Sequence, residues 1–295
     1  MQVFVTGASG FIGSAIVKEL INAGHQVLGL VRSAEGAVKV EAMGAEAYTG
    51  DVNDPLVLKH GATTCDAIIH TAFNHDFSQF KASCEADRKV IEALGGALIG
   101  TKKPLVITSG LALLADGTIV NENHPIRISS EVLPRVATEE AVATVATYGV
   151  NTYIVRLPPS VHGVGDHGFV PLLIELARSK EESAYVGEGA NRWPAVHRFD
   201  AARLYRMIVE QQPAQKIFHP VGEEGIDFKK IATAIGNGLN LPTTSKTGEN
   251  ISGYFGWFAH FASIDCPADS TITREVLQWA PQETDLIVDM KANYF

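Results

Sequence analysis

Little in this chain invites covalent or metal chemistry. Its 295 residues include three cysteines, Cys65, Cys84 and Cys266, scattered without Cys-x-x-Cys spacing. That excludes a disulfide framework or a thiolate metal site as an organising feature, and the free thiols suit a reducing compartment. Twenty-four lysines and arginines stand against 33 acids, a formal net charge of −9, and no basic run occurs. A nucleic-acid-binding surface is therefore not expected. No apolar stretch approaches the roughly 18 residues of a membrane helix. The sequence opens on a strand rather than on a basic segment followed by an apolar one, so we expect a cytoplasmic protein without a membrane partner. Repeats and low-complexity segments are also missing. With 46% hydrophobic and 19% charged residues, the composition supports a sizeable core.

What is present begins at once. Gln2 to Thr6 is a short β-branched and aromatic run, Gly7, Gly10 and Gly13 follow at G-x-x-G-x-x-G spacing, and Phe11 to Leu20 carries helical periodicity. A strand, a glycine turn and a helix in that order make a dinucleotide site. One glycine permits the tight turn, one lets a pyrophosphate approach the backbone, and one lets helix and strand pack closely. The opening helix directs its free N–H groups toward the phosphates.

Strand–helix alternation continues downstream. Strands are expected at Gln26–Val31, Ala45–Thr49, Asp66–His70, Pro104–Thr108, Thr152–Val155 and Phe218–Val221. Helices are expected at Val38–Met43, Pro55–His60, Gln79–Ile99, Glu139–Tyr148 and Asp227–Leu239. Apolar strands separated by helices form a parallel sheet covered on both faces. The expected fold is α/β, a Rossmann doubly wound parallel sheet with a smaller C-terminal substrate lobe. Residues 1–162, with 197–222 returning, would bind NADP, and residues 163–196 and 223–295 would form the lobe. The aromatic run Tyr254 to Phe261 reads as a core helix of that lobe or as part of its substrate surface.

The position after the second strand decides between dinucleotides, because an acid there binds the ribose hydroxyls of NAD and a base accommodates the 2′-phosphate of NADP. Arg32 occupies it, followed by Ser33. NADP(H) is therefore the expected cofactor, with a solvated strand-end arginine as the alternative. Asp51, after the third strand, could accept from the adenine amino group or simply hold a turn.

Thr6-Gly7-Ala8-Ser9-Gly10-Phe11-Ile12-Gly13, Gly50-Asp51-Val52, His70-Thr71-Ala72, Ile107-Thr108-Ser109, Arg156 to Gly163 (RLPPSVHG) and Val196 to Ala202 (VHRFDAA) occur in that order. As a set, over about residues 1 to 220, they resemble the extended short-chain dehydrogenase/reductase superfamily, the group of nucleotide-sugar epimerases, dehydratases and dihydroflavonol or cinnamoyl-CoA reductases. The resemblance implies a Rossmann domain and a nicotinamide cofactor. It assigns Gly7, Ser9, Gly10, Phe11, Ile12, Gly13, Arg32, Ser33, Asp51, Val52, Thr71, Ala72, Thr108, Pro158 and Ser160 to cofactor binding. It also allows a homodimer through two long helices.

One element of the family pattern is missing. Members carry a Ser or Thr after the fifth strand and then Tyr-x-x-x-Lys, the Tyr protonating the substrate oxygen. Thr108-Ser109 fits the first part, although Gly110 stands where some relatives place the serine. No Tyr-x-x-x-Lys follows. Spacing from Arg156 puts Arg135 at the Lys position and Glu131 at the Tyr position. Arg135 stays charged, so it can bind ribose or polarise a carbonyl but donates no proton. His75 has a suitable ordinary pKa for acid–base work, or else it simply hydrogen-bonds the loop.

Ser109, Arg135 and His75 are accordingly the expected catalytic residues. Asn74, His162, His167, Arg192 and Trp193 are the expected substrate contacts, each with packing or capping as its alternative. No metal ligand set is expected. The expected activity is NADP(H)-dependent hydride transfer between nicotinamide and a small carbonyl or secondary alcohol. A non-catalytic NADP sensor or scaffold and a nucleotide-sugar epimerase or dehydratase are the alternatives.

Overall fold

Alternate residues of the opening strand go to opposite faces of one sheet: Val3 and Val5 join one hydrophobic core and Phe4 another. The computed structural model describes residues 1–295. In its first half, β1 (Gln2–Thr6), α1 (Phe11–Asn22), β2 (Gln26–Val31), α2 (Ala34–Glu41), β3 (Glu46–Thr49), α3 (Pro55–Thr64), β4 (Ala67–His70), α4 (Phe80–Leu98), β5 (Pro104–Gly110), α5 (Ala137–Thr147) and β6 (Asn151–Leu157) follow in order. The second half contains β7 (Ser160–His162), α6 (Phe169–Lys180), β8 (Ser183–Val186), β9 (Arg192–His197), α7 (Arg198–Gln211), β10 (Ile217–Phe218), β11 (Glu223–Asp227) and α8 (Phe228–Leu239). It ends with β12 (Thr243–Lys246), α9 (Glu249–Phe255), α10 (Ala259–Ser263), α11 (Thr271–Leu277) and α12 (Leu286–Asn293).

The main sheet runs β3-β2-β1-β4-β5-β6-β10 and is parallel throughout. The order reverses between β1 and β4, which opens a crevice at their carboxyl ends, the usual ligand position in such sheets. Both faces are covered, as the unbroken apolar strands require. Val5, Ile69, Val106 and Val155 pack with α1 and α7, while Phe4, Ile68, Leu105, Ile107 and Ile154 pack with α3, α4 and α5.

A three-stranded sheet, β11-β9-β7, and a β12-β8 pair accompany a separate core of 19 buried residues built around Trp193, Phe228, Phe255 and Phe258. None of these lobe strands was anticipated, because they are short and their partners are distant in sequence. Leu277 and Trp279 depart from the expected division of the chain and join the main core, where the Trp279 indole N–H donates to the Asp200 carbonyl at 3.0 Å. The expected single helix over Tyr254–Phe261 is broken. Gly256 has φ +56, ending α9 and separating it from a 3₁₀ turn and α10. No helix is long and apolar enough to cross a membrane.

The glycine turn is a packing constraint as well as a ligand feature. Gly7 has φ +70, and a Cβ on Gly13 would lie 2.0 Å from the Gly7 carbonyl oxygen. Neither partner is a flexible side-chain end, so Gly13→Ala must separate β1 from α1. Overpacking of this kind costs about 1–3 kcal/mol. Thermal unfolding of Gly13→Ala is expected several degrees below the parent; an unchanged midpoint would refute the contact.

Candidate active site

The cradle at the crevice is made of backbone. Gly10 N–H donates to the Gly7 carbonyl at 2.9 Å, and α1 then starts without a side-chain cap and without an acid in its first turn. Its first N–H groups are thus left to a ligand, with a positive dipole end behind them. Thr71 closes the other wall, its hydroxyl donating to the Thr6 carbonyl at 2.8 Å, and Ala72 N–H reaches Thr6 Oγ1 at 3.4 Å. Phe11 and Ile12 are half-buried on the first turn of α1.

After β2, Ser33 caps α2 by accepting from Gly36 N–H at 3.2 Å, and Ser9 Oγ lies close to the same turn. Arg32 is exposed there and takes part in no ion pair. After β3, Asp51 Oδ1 accepts from Asn53 N–H at 2.8 Å and from its side-chain amide at 3.0 Å, a turn contact that leaves Oδ2 uncommitted. Val52 is half-buried beside it. Pro158 and Ser160 are buried beyond β6, and Ser160 Oγ has no hydrogen-bond partner. An uncapped helix end, a cradle that a Cβ would fill and an orphaned hydroxyl together fit a dinucleotide.

A buried polar network lies directly behind this cradle. Thr6 Oγ1 and His70 Nδ1 are 2.6 Å apart, and His70 Nε2 and Asp87 Oδ1 are 2.9 Å apart. Asp87 Oδ2 accepts from Arg135 at 2.6 Å and from Thr138 Oγ1 at 2.5 Å. Arg135 also contacts Thr138 Oγ1, donates to the Thr108 carbonyl at 3.2 Å, and stacks its guanidinium 4.0 Å from the Phe73 ring centroid.

Burial alone would raise the Asp87 pKa. The Arg135 charge and the bonds from His70 and Thr138 outweigh it and hold the carboxyl well below its ordinary 3.8. Arg135 sits on a 3₁₀ turn, Pro134–Val136, that leads into α5. Nη1 and one Nη2 proton are committed, and Nε–H and the other Nη2 proton remain free. Thr108 belongs to the same corner, its hydroxyl donating to the His70 carbonyl at 2.8 Å and meeting Tyr205 OH at 2.7 Å.

Ser109 does not stand free as a catalytic hydroxyl. It is buried at 4% exposure and donates to Glu139 Oε1 at 2.8 Å. Glu139 in turn accepts from Arg156 Nε at 2.9 Å and from Arg156 Nη2 at 2.8 Å. Successive residues of β5 point to opposite faces, so Thr108 faces Tyr205 of α7 while Ser109 faces α5. Gly110 follows, where an added Cβ would meet no atom closer than 3.9 Å.

The remaining expected residues divide. His75 is solvent-exposed yet packs against Phe73, with ring centroids 5.2 Å apart. Local crowding, then the charges of Arg135 and His167, lower its pKa from 6.5. His167 is exposed and meets the Phe11 ring edge-on at 5.7 Å. Asn74 is exposed and uses its carbonyl on Asp76 N–H at 3.1 Å.

Three expected substrate contacts are corrected. His162 is 1% exposed and pairs with Asp289 of α12 at 2.8 Å, a tie between β7 and the C-terminus. Trp193 is 1% exposed, with Phe228 4.9 Å away, and serves as a core residue. Arg192 is gripped by Asp265, whose Oδ2 lies 2.8 Å from Nη2 and whose Oδ1 lies 3.0 Å from Nε.

Three residues were missed. Asp87 shares the core stripe of α4 with Cys84, Ile91 and Leu94, and an acid at that spacing was a readable signal. Glu139 entered only as a spacing mark. Arg198, present in the VHRFDAA motif but given no role there, stacks 4.8 Å from Phe11 and donates to the Val164 carbonyl at 3.0 Å, with Nε unpartnered.

Protonating Asp87 would strip the charge that Arg135 and His70 use. A depressed carboxylate contributes stability above its ordinary pKa and loses it as pH falls through the folded value. The melting temperature is therefore expected to fall with pH below about 3.8. In Asp87→Asn, this component should be missing and stability at neutral pH lower by about 3–5 kcal/mol. Parallel pH–melting curves for parent and variant would refute the assignment.

The sequence pattern that defines the NAD dependent epimerase/dehydratase family matches residues 3–219. An uncharacterized protein of Schizosaccharomyces pombe is 45% identical over 299 aligned positions, covering 100% of both chains. The 4-hydroxy-2-methyl-3-oxo-4-farnesyl-3,4-dihydroquinoline-1-oxide ketoreductase of Stigmatella aurantiaca is 28% identical, covering 80% of this chain and 72% of that one. Among solved structures, the dTDP-glucose 4,6-dehydratase DesIV of Streptomyces venezuelae, with NAD and TYD bound, superposes with a TM-score of 0.78. It is 19% identical over 99% of this chain and 95% of that one.

Proposed function

Since this chain belongs to the NAD-dependent epimerase/dehydratase family, within the extended short-chain dehydrogenase/reductases, we propose that it is an NADP(H)-dependent carbonyl reductase or secondary-alcohol dehydrogenase. The observation that carries this reading is Arg135. Its guanidinium is fixed by Asp87, Phe73 and the Thr108 carbonyl at the carboxyl ends of β4 and β5, with two N–H groups uncommitted. The bound cofactor supplies the hydride for a carbonyl carbon. Arg135 holds the oxygen on which negative charge then develops, an electrostatic contribution that needs no reorganisation at the moment of reaction.

A guanidinium does not release a proton at working pH, so the alkoxide takes its proton from elsewhere. His75, on the loop beside Phe73, passes it from solvent. With its pKa lowered, His75 is mostly neutral at pH 7 and becomes the better acid as pH falls. Reduction at saturating ketone is expected to quicken as pH drops through a value below 6.5, and His75→Gln should flatten that limb. An unchanged profile would remove His75 from the chemistry. Ser109 has no place in this scheme, because Glu139 holds its hydroxyl.

NADP rather than NAD is favoured by Arg32, exposed and unpaired beside the capped start of α2 and Ser9.

The test is NADPH oxidation by the purified protein with a panel of ketones and aldehydes, with NADH in parallel. Turnover that prefers NADPH is expected, and Arg135→Met should lower kcat far more than it raises KM. Binding of NADPH with no turnover on any carbonyl would favour a sensor. Arg32→Asp should weaken NADPH about 10- to 100-fold, the loss of charged hydrogen bonds, with little effect on NADH. Equal loss of both would overturn the NADP assignment.

A further inference from the structure

A continuous run of aromatic rings leads from Arg135 into the C-terminal core. Phe73, under the guanidinium, lies 6.4 Å from Phe80, and Phe80 stacks on Phe77 at 5.5 Å. Phe77 stacks on Trp257 at 4.7 Å and also meets Phe261 at 5.8 Å and Phe169 at 6.1 Å. Phe73, Phe77 and Phe80 come from the segment between β4 and the first residue of α4, Phe169 from the start of α6, and Trp257 and Phe261 from the turn after α9 and from α10. They meet across the gap between the main sheet and the second core.

None of the six rings is fully buried, and Trp257 is 55% exposed. The local backbone explains that exposure. Gly256, at φ +56, turns the chain so that Phe255 and Phe258 go inward while Trp257 stays out. Partly exposed aromatic rings in contact with one another offer an apolar surface on which a ligand ring can pack. The rings themselves carry no charge, and two arginines of the same lobe, Arg192 and Arg178, are already held by Asp265 and Glu175. Arg135, the cation at its inner end, can meet one oxygen but not a diphosphate, since much of its guanidinium is spent on Asp87, Thr138 and the Thr108 carbonyl.

We propose that Phe77 and Trp257 are the specificity-determining residues of the site. The substrate class is then a ketone, or the matching secondary alcohol, that carries an aryl or comparably large apolar group. Its oxygen points to Arg135 and its apolar part lies on the Phe77–Trp257 rings. This assignment rests on the carbonyl-reductase reading and narrows it.

The experiment compares acetophenone with 2-butanone as substrates for the parent, Phe77→Ala, Trp257→Ala and Trp257→Phe, with NADPH. The parent is expected to prefer acetophenone in kcat/KM. Each alanine variant should shrink that preference about tenfold, the size of one aromatic contact, and Trp257→Phe should largely retain it. Binding of acetophenone is followed separately by ligand-observed NMR, and folding by melting temperature.

If no ketone is turned over but acetophenone binds the parent and not the alanine variants, the aromatic site stands and the reductase reading falls. If ketones are reduced with a preference that the variants leave unchanged, the reading stands and this inference falls. Loss of both substrates in equal proportion also overturns it. So does a change of oligomeric state by light scattering without a change of preference, which would make the rings an interface between copies of the chain.

Discussion

The carboxylate of Asp87 is the constraint on which the site depends. It is 5% exposed, and a lone charge so placed would cost several kcal/mol. It is tolerable because His70, Thr138 and Arg135 converge on it from β4, α5 and the 3₁₀ turn before α5. Thr6 extends the chain of contacts to the end of β1. The two strands whose divergence opens the crevice are thus tied by polar groups at the point where hydrogen bonds of the sheet run out. Arg135 has a fixed position because Asp87 does.

Around β5, two networks divide the labour by face. Thr108 and its carbonyl belong with Tyr205, His70 and Arg135, while Ser109, one residue on, belongs with Glu139 and Arg156. The pleat enforces this division, since neighbouring side chains cannot share a face. Arg135 brings a permanent positive charge to that corner, held in place by Asp87 and the Thr108 carbonyl.

Much of the fold was legible in the sequence because it is local. The apolar runs of β1, β2 and β4 and the glycine spacing each speak within a few residues. The errors came where the deciding partner is remote. Trp193 looks like a substrate platform until Phe228 and Phe258 are placed around it, and Arg192 looks free until Asp265, 73 residues on, takes it. His162 finds Asp289 at a separation of 127. At Thr108–Ser109 the sequence is silent for a subtler reason: one step along the strand changes the face, and with it whether a hydroxyl meets Tyr205 or Glu139. The interruption at Gly256 shows the opposite case, in which one glycine outweighed an aromatic pattern that reads as a continuous helix.

The contact between Gly13 and the Gly7 carbonyl has a consequence for how this chain can change over time. The same atoms shape the glycine turn and bring α1 down onto β1. A side chain added there displaces the helix, so the fold itself closes that position to variation. Change is therefore channelled to the rim, to exposed positions such as Arg32 and Ser33, where a side chain can be exchanged without moving a strand. The centre of the site is inherited as part of the architecture, and its edge is where descendants of this chain are free to diverge.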